Sequence, residues 1–236
     1  PANTFEASLL AGVVAAQGLH HVAILRDTDN DTFTATFARA FVQHLGAPDP
    51  TETPELVFSS KARPAYAQLA QQLSAGKPQA ILLLAAALDT ALVAQQLRQQ
   101  GWSGALFTSG WAHTKDVLTA NGGSAVEGMQ LATRSPCARV YPALDAFVAA
   151  YTSRFGAAPS NPAEFAYEAV GVWAQALTAQ QVKTERLELA LQAPTARAGL
   201  MGSFTLDAFG DPQRPLCLLQ VRSGNFAPVR ELLPPV

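Results

Sequence analysis

The chain has 236 residues, of which 49% are apolar and 14% charged, with a formal charge of −2. That composition excludes a disordered chain, and the charge balance gives no electrostatic reason to expect nucleic acid or an anionic membrane as partner. The longest apolar run, Ala80 to Leu88, is strand-sized and far short of the roughly 20 residues that span a bilayer.

The chain opens at Pro1 without an initiator methionine and reads as a processed or trimmed piece. Asn3 followed three residues later by Glu6 predicts a capping-box start to a helix. Phe5, Leu9, Leu10, Val13 and Val14 give that helix its apolar spacing, and Gly18 can end it. His21 to Leu25 predicts a buried strand and Arg26 to Thr32 a loop. Phe33, Phe37, Phe41 and Leu45 then recur every four residues, a helix running to Gly46. The rhythm repeats through strands at Glu55 to Phe58, Ala80 to Ala86, Ala105 to Thr108 and Met129 to Thr133. Helices are predicted between them, at Ala65 to Leu73, from Asp89 or Thr90 to Gln100, and at Lys115 to Thr119. Apolar strands alternating with amphipathic helices predict an α/β fold, a doubly wound and mostly parallel sheet of the flavodoxin-like kind.

Past Pro136 the pattern becomes helical. Helices are predicted over Val140 to Phe155, from the N-cap pair Asn161-Pro162 to about Leu177, and over Thr184 to Gln192. The second of these is apolar nearly all round, which predicts burial on more than one face. The chain closes as a β meander, with strands at Gly202 to Leu206, Pro215 to Val221 and Phe226 to Val229. Cys137 and Cys217 either form one disulfide, in an oxidising compartment, or remain two small buried apolar residues.

In an open α/β sheet, ligands bind beyond the carboxyl ends of the strands. Four loops fall there: Arg26 to Thr32, Ser59 to Arg63, Ala87 to Thr90 and Ser109 to Thr114. They supply hydroxyls, carboxylates, helix N-termini and Trp111, which suits holding a small molecule. Asp27-Thr-Asp-Asn-Asp31 opens like a calcium loop, but Thr32 and Ala38 stand where an EF-hand needs glycine and glutamate. No histidine has a second ligand at zinc spacing, and no P-loop, G-x-S-x-G elbow or dinucleotide fingerprint is present. No cofactor and no metal are therefore expected. Trp111 either stacks on a guest or anchors its loop against a neighbouring helix.

Several phrases, taken together, resemble a known family. They are Leu19 to Leu25 with the Phe33–Phe41 helix, Val126-Glu-Gly-Met129, and Phe147 to Phe155 followed by Gly156, Pro159 and Ala166-Tyr-Glu-Ala-Val170. The ending adds Gly202-Ser-Phe-Thr-Leu-Asp207, Gly210-Asp211, Gln220-Val221 and Gly224-Asn-Phe226. Across essentially the whole chain these resemble the type I periplasmic solute-binding proteins, the Leu/Ile/Val-binding kind that feed ABC importers. The resemblance implies a periplasmic or extracytoplasmic binding protein and not an enzyme. Its partners would be a small ligand, either an amino acid or an aromatic or aliphatic carboxylate, and a membrane permease.

The same resemblance assigns 1–135 and 200–236 to the second lobe and 136–199 to the first, most of whose strands would lie outside this sequence. The helices at 138–193 would then need a cover, for which a homodimer is one candidate. Carried over by position, the family's tyrosine falls near Asp31 with its glycine at Thr32, its aromatic pair at Ala87 and Leu88, and its acid at Trp111, which points to an aromatic or bulkier carboxylate rather than a standard aliphatic amino acid. Asp89, Ser109 and Gly110 complete the expected ligand-binding set. The alternatives are a ligand-sensing domain of a membrane receptor and an enzyme on a flavodoxin-like sheet.

Overall fold

The computed structural model describes residues 3–46, 53–134, 137, 140–179, 191 and 195–233. Contacts divide the chain into two units: residues 2–137 with 216–232, and residues 138–215 with the two chain ends.

The first unit begins with α1 (Asn3–Ala16) and then alternates β1 (Val22–Asp27), α2 (Asp31–Leu45), β2 (Glu55–Phe58) and α3 (Tyr66–Ala75). It continues through β3 (Ala80–Leu84), α4 (Ala87–Gln99), β4 (Ala105–Thr108), α5 (Lys115–Gly122) and β5 (Gln130–Thr133). After the second unit, with α6 (Pro142–Phe155), α7 (Asn161–Ala179), β6 (Arg197–Gly199), β7 (Gly202–Leu206) and β8 (Pro212–Gln213), the chain returns as β9 (Leu216–Arg222) and β10 (Asn225–Leu232). The seven strands form one sheet in the order β10-β9-β5-β4-β3-β1-β2. Strands β1 to β5 are mutually parallel, while β9 runs antiparallel to β5 and β10 antiparallel to β9. Pro228 is placed on β10, an edge strand, where its missing N–H breaks no inner ladder.

Side chains alternate across the sheet and build two cores. Ile24, Leu82, Leu84 and Phe107 pack under α1 and α2. Leu25, Ile81, Leu83 and Leu106, on the other face, pack under α3, α4 and α5. Ala80–Leu84 is buried at every position because both faces are covered. Helix α2 ends where expected, on Gly46 in the left-handed conformation (φ 67°), which glycine adopts without steric cost. Cys137 and Cys217 are joined, so of the two open readings the disulfide holds.

Several boundaries move. Arg26 and Asp27 belong to β1, and Asp31 and Thr32 are already helical, because Asp27 caps a short turn that leads straight into α2. Helix α4 starts at Ala87, two residues before the predicted start, so Leu88 and Asp89 lie in its first turn. The expected capping box is not what Glu6 forms: its carboxylate accepts a distant backbone N–H instead.

In the second unit, α6 (Pro142–Phe155) and α7 (Asn161–Ala179) are followed by a three-stranded sheet of β6 (Arg197–Gly199), β7 (Gly202–Leu206) and β8 (Pro212–Gln213). The β6 and β8 strands have no counterpart in the apolar pattern, being only three and two residues long. Glu168 of α7 fastens this hairpin, pairing with Arg214 at 2.8 Å and accepting the Leu200 N–H at 2.8 Å. The Arg214 guanidinium also lies 4.0 Å over the Phe204 ring. Val172 and Ala176 of α7 are buried, whereas Tyr167, Val170, Trp173 and Leu177 are exposed. The helix predicted at 184–192 falls outside the described residues except for residue 191.

Candidate functional site

Strand order reverses at β1: the chain steps outward to β2 and then returns to place β3 on the other side of β1. In a doubly wound sheet such a switch point opens a crevice at the carboxyl ends of its two strands. Here those ends are Asp27 and the residues that follow Leu84, with the end of β4 alongside.

The β1 side is a stitched pair of loops. Asp27 is 2% exposed, and its Oδ1 accepts the N–H groups of Asp29 (3.0 Å) and Ser60 (3.2 Å). Asp29 Oδ2 accepts the Ser59 and Ser60 hydroxyls and the Lys61 N–H, at 2.9 to 3.0 Å. The Lys61 N–H, ahead of the two hydroxyls, holds the Asp29 carboxyl below the ordinary value. Thr28 closes the seam with a 3.0 Å bond to the Phe58 carbonyl.

Tyr66, at the start of α3, donates its hydroxyl to Asp89 Oδ1 at 2.7 Å. Burial, then the Asp89 bond and the field of Asp27, pushes the phenol up to about 12. Asp27 and Asp89 are both buried, and among the described residues no lysine or arginine pairs with either. The carboxyl edge at the switch point thus carries two buried aspartates and a phenol that stays protonated.

Past β4, Ser109 is fully buried, and its Oγ meets no hydrogen-bond partner among the described residues. Gly110 donates its N–H to Glu6 Oε1 at 2.7 Å. Glu6 is 7% exposed; burial raises its pKa to about 7, against the lowering by Gly110 and the Arg134 charge. Trp111 meets Phe33 of α2 edge-on, ring centres 5.8 Å apart. Of the two readings for that tryptophan, this contact is the anchoring one.

All eight residues expected from sequence lie at the carboxyl edge, because the strands that carry them are parallel. Their individual settings differ. Asp31 is exposed and paired with Arg26, which also holds Glu55 at 2.9 Å; Thr32 is exposed. Ala87 is buried, Leu88 is 45% exposed, and Asp89 is buried against Tyr66. Ser109, Gly110 and Trp111 follow one another around the β4 corner.

Sequence reading missed Glu6, Asp27 and Tyr66. Glu6 carried a usable signal, since it stands four residues before Leu10 on the buried stripe of α1, where an acid needs a partner. Among the described residues no cluster of three metal-ligating side chains occurs, and no helix is long and apolar enough to cross a membrane.

Comparison with known proteins follows the same outline. A family model described as periplasmic binding protein matches residues 2–225. No curated protein matches the sequence. Among solved structures, the leucine binding protein LivK from Thermotoga maritima is similar over 98% of this chain and 66% of its own, with TM-score 0.86 and 20% identity. An R. palustris solute binding protein in complex with benzoate is similar over 99% and 64%, with TM-score 0.80 and 14% identity. LivJ from Streptococcus pneumoniae, in complex with isoleucine, is similar over 96% and 65%, with TM-score 0.78 and 17% identity. This chain therefore spans just under two thirds of the length of each, and at these identities the likeness is one of fold.

Proposed function

The chain belongs to the periplasmic binding protein family, and on that premise we propose that it is the ligand-binding part of an extracytoplasmic solute receptor serving an ABC importer. The large-sheet unit is the second lobe, and the helical unit belongs to the first. The observation that supports the reading is the β1/β3 switch point, at whose carboxyl edge Asp27, Asp89, Tyr66 and the Ser109–Trp111 corner follow the strand ends.

The guest this edge favours carries an ammonium group. Two buried carboxylates without a cationic partner among the described residues are compensated by a positive guest and repel an added anion. Exposed Leu88 and half-buried Trp111 offer apolar surface for a side chain. The expected ligand is thus amino-acid-like rather than a bare aromatic or aliphatic carboxylate, and Asp89, oriented by the Tyr66 hydroxyl, is the residue that meets its ammonium. Closure of two lobes on the ligand supplies the signal to the permease, since a ligand shifts that equilibrium only by what it contacts in both lobes.

The test is an NMR titration of this chain with L-leucine and, separately, benzoate. Leucine shifts the resonances of Leu88, Gly110 and Trp111, with affinity weaker than micromolar because one lobe supplies only part of the contact. Asp89→Asn weakens leucine by about tenfold or more, the scale of a lost charge pair, and leaves benzoate unchanged. Benzoate binding as well as leucine, or shifts that spare this edge, would reject the amino-acid reading. Sub-micromolar binding by a proven monomer would reject the lobe assignment.

A further inference from the structure

The corner that follows β4 is held from outside its own stretch of sequence. Glu6 lies in the first turn of α1, and its bond to the Gly110 N–H spans 104 positions of chain at 2.7 Å. The carboxyl packs against the corner: a Cβ on Gly110 would stand at ordinary contact distance, 3.4 to 3.5 Å, from both Glu6 oxygens and from the Ala132 carbonyl. One residue on, Trp111 packs edge-on against Phe33, and the Phe33 carbonyl accepts Asn3 Nδ2 at 3.3 Å. A single helical turn therefore grips both members of the ring pair, Asn3 holding the Phe33 backbone and Glu6 the residue before Trp111.

We propose that Glu6 is a positioning residue of the binding edge, its buried carboxyl clamping Gly110 so that Trp111 is presented at a fixed place and in a fashion that responds to protonation. The proposal rests on reading this edge as the ligand seat. Accepting an N–H does not by itself require an acid, because a glutamine carbonyl would serve and would escape the cost of burying a charge. What a carboxyl adds is a second state. Ionised, it is the stronger acceptor; protonated, it is the easier to bury.

Charged and titratable groups on the elements around Glu6 are Arg134 beyond β5, Asp31, Arg39 and His44 on α2, and His113 after the corner turn. The Gly110 bond, then the charges of Arg134 and of the amino terminus, favour ionisation of Glu6, whereas burial opposes it more strongly. The balance falls at about 7, so both states are populated near neutrality.

The experiment follows the Gly110 amide and the Trp111 indole by NMR while pH is raised from about 5 to about 9, a range that brackets the raised value of Glu6 and the ordinary histidine value. In the wild-type chain both resonances move together with a midpoint near 7. Glu6→Gln removes the titration of both and keeps the Gly110 amide protected from exchange. Glu6→Ala speeds that exchange by about tenfold, the loss of one hydrogen bond, and weakens the leucine affinity of the edge severalfold.

A Trp111 titration that survives Glu6→Gln, or exchange or leucine affinity unchanged in Glu6→Ala, would overturn the proposal. A wild-type chain whose corner titrates as described, but whose Trp111 does not respond to leucine, would overturn the reading of this edge as the ligand seat and leave the clamp standing as a structural device.

Discussion

Replacing both Cys137 and Cys217 with alanine tests what joins the two crossings of the chain between units. The bond closes a loop of 80 residues that contains nearly all of the helical unit. In the folded state the cysteines are neighbours in any case, since β5 pairs with β9 at Thr133 and Cys217, and Leu131 and Leu219 pack around them. Its stabilisation must therefore come chiefly from the unfolded chain, whose freedom it restricts. For a loop of this length the chain-entropy relation gives roughly 15 cal/mol/K, about 4.5 kcal/mol at 25 °C, and measured disulfides usually return ~2–4 kcal/mol.

The assay is urea unfolding of the oxidised chain, the chain held in reductant, and the double alanine variant. The oxidised chain should show the highest midpoint and the smallest dependence on urea, because a cross-linked unfolded state exposes less surface. The reduced and alanine forms should lie close together, separated only by the small volume lost from buried Cys217. Identical midpoints and slopes for oxidised and reduced chains would refute the reasoning, since a loop of that length cannot be constrained without effect on the unfolded ensemble.

One buried and one half-buried group, Glu6 and His113, should give the stability profile opposed limbs. Burial holds Glu6 at about 7, above its ordinary 4.5, so the folded chain binds the extra proton. That contribution is complete below about pH 4.5 and is lost as pH rises through 7, on the order of 3 kcal/mol. Burial holds His113 at about 4, below its ordinary 6.5, so its contribution is complete above about 6.5 and is lost as pH falls through 4, again on the order of 3 kcal/mol. Melting temperatures across pH check both: Glu6→Gln should flatten the neutral limb and His113→Phe the acid limb. Phe107→Ala empties a fully buried site at the centre of the sheet and should cost about 3–5 kcal/mol in urea unfolding. Glu168→Ala strands the buried Arg214 charge and should cost about 3–5 kcal/mol, while a Glu168→Leu/Arg214→Met double variant should recover most of it. Trp173 fluorescence on α7 during denaturation reports that loss.

Much of the architecture was legible in sequence because the signals are local. An unbroken apolar run such as Ala80–Leu84 announces a strand covered on both faces, and Phe37 and Phe41 four residues apart announce one side of a helix. Parallel strands also imply a common carboxyl edge, which is why all eight expected residues fall there. Boundaries were less legible: the sequence reads Ala87 and Leu88 as loop, whereas they open α4, because Ala86 at the N-cap has no capping side chain that could mark the start.

Patterning by itself determined the alternation of elements, the parallel sheet and the loops that crown it, each written within a few neighbouring residues. Only tertiary structure decided that β9 returns beside β5, that Cys217 meets Cys137, that Tyr66 reaches Asp89 and that Glu6 reaches Gly110. These pairings join residues 23 to 104 positions apart, through strand order and helix placement. A hydrophobic period records which face of an element turns inward; it carries no record of which polar partner waits there.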